Sequence, residues 1–443
     1  MSQKRQREER LRELLDSFQP TAAGAEARPL AALRTRGREA FAARGLPGAR
    51  EEEWRYTPLP PPSSLDLSLP GADPRVPRAR IEALSFPVFA CSLFVFVNGR
   101  HRPELSAPHA LAGGLRVESL QELQGGEPER IPAGLGTLVD DKLHPFAALG
   151  SGLLEDAAVV RIPRGETVEH VVHLVLASGG AEGPLLCAPR VWIDAEPGSR
   201  AVVLEDHVSL DDLPHLETAV TEVRVAEQAS LDLVVLQRMS AVARGASNLG
   251  VQQEQGSRFA SHVITLGGSW VRNDLLVRLE GEGAEAHLNG LFLGRSHGLV
   301  DNHTQVDHAA PHGTSRQLYK GILADRSRGV FRGRVVVRPH AQKTDAHQSN
   351  PNLLLSDGAE INSKPQLEIR ADDVRCSHGS ATGCVDPEAL FYLRSRGIAE
   401  EAARRLLTQG FAAQVLAALP GKALAEALSA IVAERLGPPE EAS

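Results

Sequence analysis

The sequence predicts a mainly β protein, a parallel β-helix with α-helical regions at both ends. Three observations lead there. Between about Ala157 and Ile369, short runs of branched aliphatic residues alternate with turn residues. Small-residue turns precede strands at Gly198-Ser199, Gln228-Ala229-Ser230, Gly256-Ser257, Gly283-Ala284, Gly313-Thr314 and Gly358-Ala359. Most neighbours in this series lie about 27 to 30 residues apart, a spacing at which internal repeats mean solenoids. One extra turn, near Ser327-Arg328-Gly329, breaks the spacing. No helical stretch separates the strands, which argues against a βαβ sheet. A sandwich of hairpins would need more Asn-Gly or Asp-Gly turns. Aromatic residues make up only 4% of the chain, which suits a narrow coil filled by Val, Ile, Leu and Ala. Periodicity by itself leaves the β-helix and other all-β folds open.

Residues 1–62 read as an N-terminal helical region. Leu11, Leu14, Leu15 and Phe18 follow helical spacing, and Pro20 stops that helix. A second helix starts at Pro29, carries Leu30, Leu33, Ala40 and Phe41, and ends at Gly45 with Pro47 beyond. Glu53-Trp54-Arg55-Tyr56-Thr57 follows, then a proline-rich connector from Pro58 to Pro62. Residues 63–156 read as a connecting α/β region, with a strand at Leu93 to Val97 turned by Asn98-Gly99. Residues 157–385 form the β-helix core, with strands at Val159–Ile162, Ala201–Leu204, Leu231–Val235 and Val335–Val337. Residues 386–437 read as a C-terminal helical domain. Asp386-Pro387 is an N-cap with proline at the first helical position. An amphipathic helix carrying Ala402, Leu406, Phe411, Val415 and Leu419 comes next, and a last one uses Leu424, Leu428, Ile431 and Val432. Residues 438–443 are an acidic tail.

The totals exclude several classes. A net charge of -8 and a pI of about 6.1 argue against a nucleic-acid footprint. No apolar run is long enough to span a membrane, and the charged N-terminus lacks the apolar stretch of a signal peptide. Cys91, Cys187, Cys376 and Cys384 form no CxxC pair and read as reduced thiols of a cytoplasmic protein. There is no Walker A loop, no G-x-S-x-G elbow and no cysteine set that holds a cluster alone. A stand-alone enzyme is not expected.

Two constellations carry chemistry. Cys376 and His378, in Cys-Ser-His-Gly, project to one face if the segment is a strand. Thiolate and imidazole suit iron or an iron–sulfur cluster, but two ligands cannot close a site. A buried cysteine beside a surface histidine is the plain structural alternative. His297, His303, His308 and His312 fall within sixteen residues. Their spacing is that of strands and turns, not the i, i+4 of a helical zinc site, which favours a structural role.

The string Cys376-Ser377-His378-Gly379, followed by Phe391-Tyr392-Leu393-Arg394-Ser395-Arg396-Gly397-Ile398, resembles the end of the core in the SufB/SufD family of iron–sulfur cluster assembly proteins. The strings Glu53–Thr57, Ser315–Ile322 and Gln342–Leu355 extend that resemblance over most of the chain. It is closest to the SufD branch, because the loop Ser356-Asp357-Gly358-Ala359-Glu360 lacks the cysteine of SufB-like sequences. The resemblance implies a right-handed parallel β-helix and a non-catalytic scaffold subunit. It implies pairing with SufB through the β-helix and with the SufC ATPase through the C-terminal helices. His378 would lie at the SufB interface, where a transient cluster or iron is handled, with Cys376 a less secure second ligand. Neither is held stably by this chain alone. Phe391, Tyr392, Arg394, Arg396 and Gly397 would belong to a partner surface. An isolated chain is open to pairing with itself. The competing readings are an intracellular β-helix acting on polysaccharide, which would need clustered carboxylates along a groove, and a SufB-like scaffold sufficient by itself.

Overall fold

The computed structural model describes residues 3–20, 28–48, 50–60, 66–71, 74, 76–86, 90–107 and 114–437. The expected tail, 438–443, and the boundary between residues 62 and 63 lie outside the described residues. Helices α1 (Gln3–Ser17), α2 (Arg28–Arg44) and α3 (Arg78–Glu82) come first. Strands β1 (Cys91–Val97), β2 (Arg100–His101) and β3 (Arg116–Ser119) precede helices α4 (Leu120–Gly126) and α5 (Pro145–Gly152). Asn98 and Gly99, both left-handed, make the β1–β2 hairpin turn that the dipeptide signals.

The solenoid then runs without interruption. Its strands are β4 (Ala158–Ile162), β5 (Val171–Ser178), β6 (Leu185–Cys187), β7 (Arg190–Ala195), β8 (Arg200–Ser209), β9 (His215–Val225) and β10 (Ser230–Arg238). They continue as β11 (Arg244–Gln253), β12 (Arg258–Thr265), β13 (Trp270–Leu279), β14 (Glu285–Gly294) and β15 (Leu299–His308). The last are β16 (Thr314–Leu323), β17 (Arg328–Val337), β18 (Asp345–Leu354), β19 (Glu360–Ile369) and β20 (Arg375–Gly383). Each coil gives one strand to each of two sheets. The first sheet runs β1-β5-β8-β10-β12-β14-β16-β18-β20; the second runs back from β19 through the odd strands to β7 and β4. All pairings between coils are parallel, so the chain is the parallel β-helix expected from its sequence.

Arg200, Ser230, Arg258, Glu285, Thr314, Asp345 and Arg375 stack in register, which sets the coil length read from the turns. One corner repeats a single device. Gly198, Gln228, Gly256, Gly283, His312 and Lys343 all adopt φ between +57° and +71°. Each donates its backbone N–H to the next coil, onto Glu227, Gln255, Glu282, Pro311, Gln342 and Asp373 respectively. The first five turns of the sequence series lie on this corner. Gly358-Ala359 does not, since it precedes β19 on the opposite corner, as Ser327 precedes β17. The turn that breaks the sequence spacing is thus a member of a second series.

The interior changes character along the axis. At two inward positions of the first sheet the stacks read Leu231, Phe259, Ala286, Ser315, Ala346, Cys376 and Leu233, Ser261, Leu288, Gln317, Gln348, His378. The early coils are filled by aliphatic side chains, as in any tightly packed core. The later ones are lined by amides and hydroxyls.

Both outer faces are covered. Leu11, Leu15 and Phe41 of the N-terminal helices and Phe146 of α5 pack with Leu216, Ala246, Trp270 and Leu299 of the second sheet. Helices α6 (Pro387–Ser395), α7 (Glu400–Leu416) and α8 (Lys422–Arg435) close the chain. Ala412, Val415, Leu424, Leu428 and Val432 of α7 and α8 pack with Leu204, Val234, Leu236, Ile264, Leu291 and Ile322 on the first sheet. The C-terminal helices therefore share one core with the solenoid.

Glu53–Thr57 is a clamp on the second sheet. Arg272, 3% exposed, donates to both oxygens of Asp274 and to Asp301 and the Glu53 carbonyl, and its guanidinium lies 3.9 Å from the Trp54 ring. Trp54 stacks on Trp270 with centroids 6.4 Å apart, and Thr57 donates to Asp301 at 2.5 Å. His303 sits 3.0 Å from Asp301 and 3.5 Å from Glu53. Burial alone would lower its pKa, but Asp301 and Glu53 outweigh both burial and Arg272 and push it up to about 9. A buried cation of this kind is tolerated because the Asp301 carboxylate is buried beside it.

Two predictions follow from these contacts. Free imidazole titrates at about 6.5, so the charge on His303 contributes fully below that pH. The contribution is lost as pH rises through about 9. The melting temperature should fall between pH 7 and pH 9.5, on the order of 3 kcal/mol of stability, and the fall should be shallower in His303→Gln. Identical pH profiles for the two chains would refute the clamp's charge dependence. Second, Leu428 is fully buried against the solenoid, and Leu428→Ala should cost about 2–5 kcal/mol in denaturant unfolding, in a single transition with loss of strand signal. A separate helical transition that leaves the strands unaffected would contradict the shared core.

Candidate functional site

The two ends of the solenoid differ. At the N-terminal end, β2 pairs antiparallel with β1 and β3 pairs antiparallel with β4, which finishes both sheets. At the other end, β19 and β20 pair only with β17 and β18. Among the described residues nothing covers their free edges. A row of unpaired N–H and C=O groups is a template for another chain. Every residue of β20 except the half-buried Cys376 is exposed.

This rim carries the sequence-predicted pair. Cys376 and His378 lie on the inward side of β20, one coil beyond Ala346 and Gln348. They share a face, as strand geometry requires. Their surroundings differ. Cys376 packs with Val335, Val337, Ala346 and Leu367, and burial pushes its thiol pKa up. At neutral pH it is a packed thiol, a poorer ligand than a thiolate. His378 is exposed at the open mouth of the coil. Cys384 is exposed just past β20. Among the described residues no three His, Cys, Asp or Glu side chains converge as metal ligands.

Helix α6 stands beside this end. Asp386 caps it, accepting from the Glu388 N–H, and Pro387 holds its first position. None of its residues is buried; Phe391 is 74% exposed and Tyr392 58%. Arg396 stacks on Tyr392 at 5.2 Å, while Arg394 pairs with Glu400 at 3.2 Å. Gly397, at φ +86°, is the left-handed residue that ends the helix. Phe391 and Tyr392, with Leu406 on α7 at 50% exposure, are large apolar side chains left open to solvent.

The four clustered histidines do not converge. His297 lies exposed in a turn, and His303 belongs to the clamp. His308 is buried, 2.9 Å from the Ser315 hydroxyl, and burial pushes its pKa down to about 4, so it is neutral. His312 is a left-handed corner residue. Sequence reasoning reads Gln342–Leu355 as structural polar ladders, and Asn350 does bond across coils; it gives no role to Lys320, Ser363 or Ser380. Asn350, Ser363 and Ser380 are hydrogen-bonded to one another at the open end. Lys320 is buried under α7. A lysine between Tyr319 and Gly321 in an aliphatic run, and an asparagine directly before Pro351 in a strand, were the available signals.

Residues 176–411 match the family described as "SUF system FeS cluster assembly, SufBD core domain", and residues 5–174 match "SufBD protein N-terminal region". The chain is 32% identical over 395 residues to the iron-sulfur cluster assembly protein SufD of Escherichia coli (strain K12), across 88% of this chain and 90% of that one. It is 30% identical over 383 residues to an iron-sulfur cluster assembly SufBD family protein of Synechocystis, across 85% and 84%. To the iron-sulfur cluster assembly protein SufD of Bacillus subtilis it is 26% identical over 303 residues, 68% of each chain. With the parallel solenoid, the Cys-Ser-His-Gly rim and these matches together, the chain belongs to the SufB/SufD family of iron–sulfur cluster assembly and within it is most like SufD.

Proposed function

We propose that this chain is the non-catalytic scaffold subunit that pairs with SufB through the open end of its β-helix and with the SufC ATPase through its C-terminal helices. The observation that carries the reading is the asymmetry of the solenoid: one end is finished by antiparallel strands, and the other presents two bare strand edges. A second β-helix continuing both sheets would satisfy those edges. Iron or a nascent cluster is then cargo at the joint. His378 offers an imidazole there and SufB supplies the remaining donors. The thiol of Cys376 serves mainly in packing. A self-sufficient SufB-like scaffold is disfavoured by the scarcity of donors on this chain. Self-pairing through the same edges is the expected behaviour of the chain without SufB.

The exposed surface of Phe391 and Tyr392 supports α6 as the ATPase contact, with Arg394 and Arg396 at its margin. Gly397 contributes by stopping the helix. Four unpaired cysteines suit a reducing compartment, and we assign the cytoplasm. No helix among the described residues is long and apolar enough to cross a membrane.

Two experiments test these assignments. Reversing both charges, Arg394→Glu with Arg396→Glu, should weaken SufC binding at least about tenfold, a loss in the range of interface hot spots, with an unchanged circular dichroism spectrum. Full binding by the folded variant would remove these residues from the interface. In the co-purified complex, His378→Ala should lower iron and sulfide content with the subunit ratio intact, and Cys376→Ala should lower it less. Wild-type iron content in His378→Ala would end the ligand assignment, and loss of the complex would make His378 an interface residue.

A further inference from the structure

Lys320 is a buried cation with no role in the function proposed above. It is 6% exposed and, among the described residues, has no carboxylate partner. Lysine is rarely buried without one. Its ammonium instead donates to the backbone carbonyl of Phe411 in α7 at 2.9 Å and lies 4.2 Å from the centre of the Phe411 ring. It therefore ties the middle of α7 to strand β16.

The attachment point is a weak place in the sheet. Leu318 faces Ser349 and Gly321 faces Asn352, with no ladder pair at the two positions between. Pro351 stands there and has no N–H to give. In these parallel sheets each strand donates to the carbonyl preceding its partner, as Arg258 does to Ala229 beside the Ser230–Arg258 pair. Pro351 would have served the Tyr319 carbonyl. The Asn350 side chain serves it instead, donating at 2.9 Å. The side-chain oxygen of Asn350 accepts from the Ser363 hydroxyl at 2.7 Å. Ser380 then donates to Ser363 at 2.8 Å. Ser380 lies on β20, two residues past His378 and on the same face.

We propose that Lys320 is a positioning residue, the first member of a relay through Asn350, Ser363 and Ser380 that couples α7 to the free edge of the solenoid at His378. The path crosses from the C-terminal helices through the lumen to both last strands, at the one stretch where the β16–β18 ladder lacks pairs. Side chains bridge the two strands there, beside the residue that α7 holds. Its meaning for the complex rests on the function proposed above: movement of the helices that dock the ATPase would be read at the SufB edge.

Hydrogen exchange of the isolated full-length chain supplies that test. In Lys320→Met, peptides covering 317–322 and 375–383 should exchange about tenfold faster, the effect of losing a charged hydrogen bond, while 230–238 is unchanged. Lys320→Arg should restore most of the protection. Ser363→Ala should speed 375–383 similarly, and the double variant should be no faster than the faster single one. Unchanged exchange at 375–383 in Lys320→Met overturns the relay, and so do effects that multiply in the double variant or extend to 230–238. Should Lys320→Met fail to fold, Phe411→Leu removes the ring contact and should give a smaller increase at the same peptides; no increase there overturns the relay as well. No partner or iron takes part in the measurement, so its failure leaves the partner assignments standing. Conversely, failure of those assignments leaves the relay standing.

Discussion

A coil of a parallel β-helix cannot satisfy its own backbone. The strands from β8 to β18 bond their backbones to the coil before and the coil after, the stretch at Pro351 excepted, and so does each left-handed corner residue from Gly198 to Lys343. This dependence on neighbours organises the rest of the molecule. It requires register, because a one-residue slip would turn every inward side chain outward. It also makes the two ends special, since the first and last coils have a neighbour on one side only. Antiparallel strands solve the problem at the N-terminal end, and at the C-terminal end the outer edges of β19 and β20 stay unpaired among the described residues.

The outer faces impose a second demand. The second sheet needs α2, α5 and the Glu53–Thr57 clamp over its outer side; the first needs α7 and α8. The two covers are held differently. The clamp is electrostatic, with Arg272 and His303 between Asp274, Asp301 and Glu53, so its strength follows pH. The C-terminal cover is largely apolar, with Lys320 as a buried cationic tie to α7 and Arg295 bonding to Gly437 past α8.

The interior shifts from leucine and valine to glutamine, asparagine and serine as it nears the open end. An aliphatic lumen there would make the free edge an aggregation surface. Amides and hydroxyls leave it wettable. The same shift brings His378 to the rim in a polar setting while Cys376 remains among aliphatic side chains, so two residues on one strand face differ in chemistry.

Much of this was legible in the sequence. Turn spacing reported the coil length, because each coil needs a small or left-handed residue at its corner. The Cys-x-His spacing placed both side chains on one face, because a strand alternates. Asp386-Pro387 announced α6 by local capping chemistry alone. Other features depend on residues far apart in the chain. That Gly358 and Ser327 belong to the opposite corner follows only from which sheet their strands join. His303 is a clamp residue because Glu53, some 250 residues earlier, folds onto it. Lys320 looks like an ordinary exposed strand residue until α7 lies over it. The repeat, the strand faces and the helix ends can be read from the chain, since contacts within one coil or one turn set them. Which end stays open, what covers each sheet and which polar side chains meet rest on contacts that close when the coils are stacked.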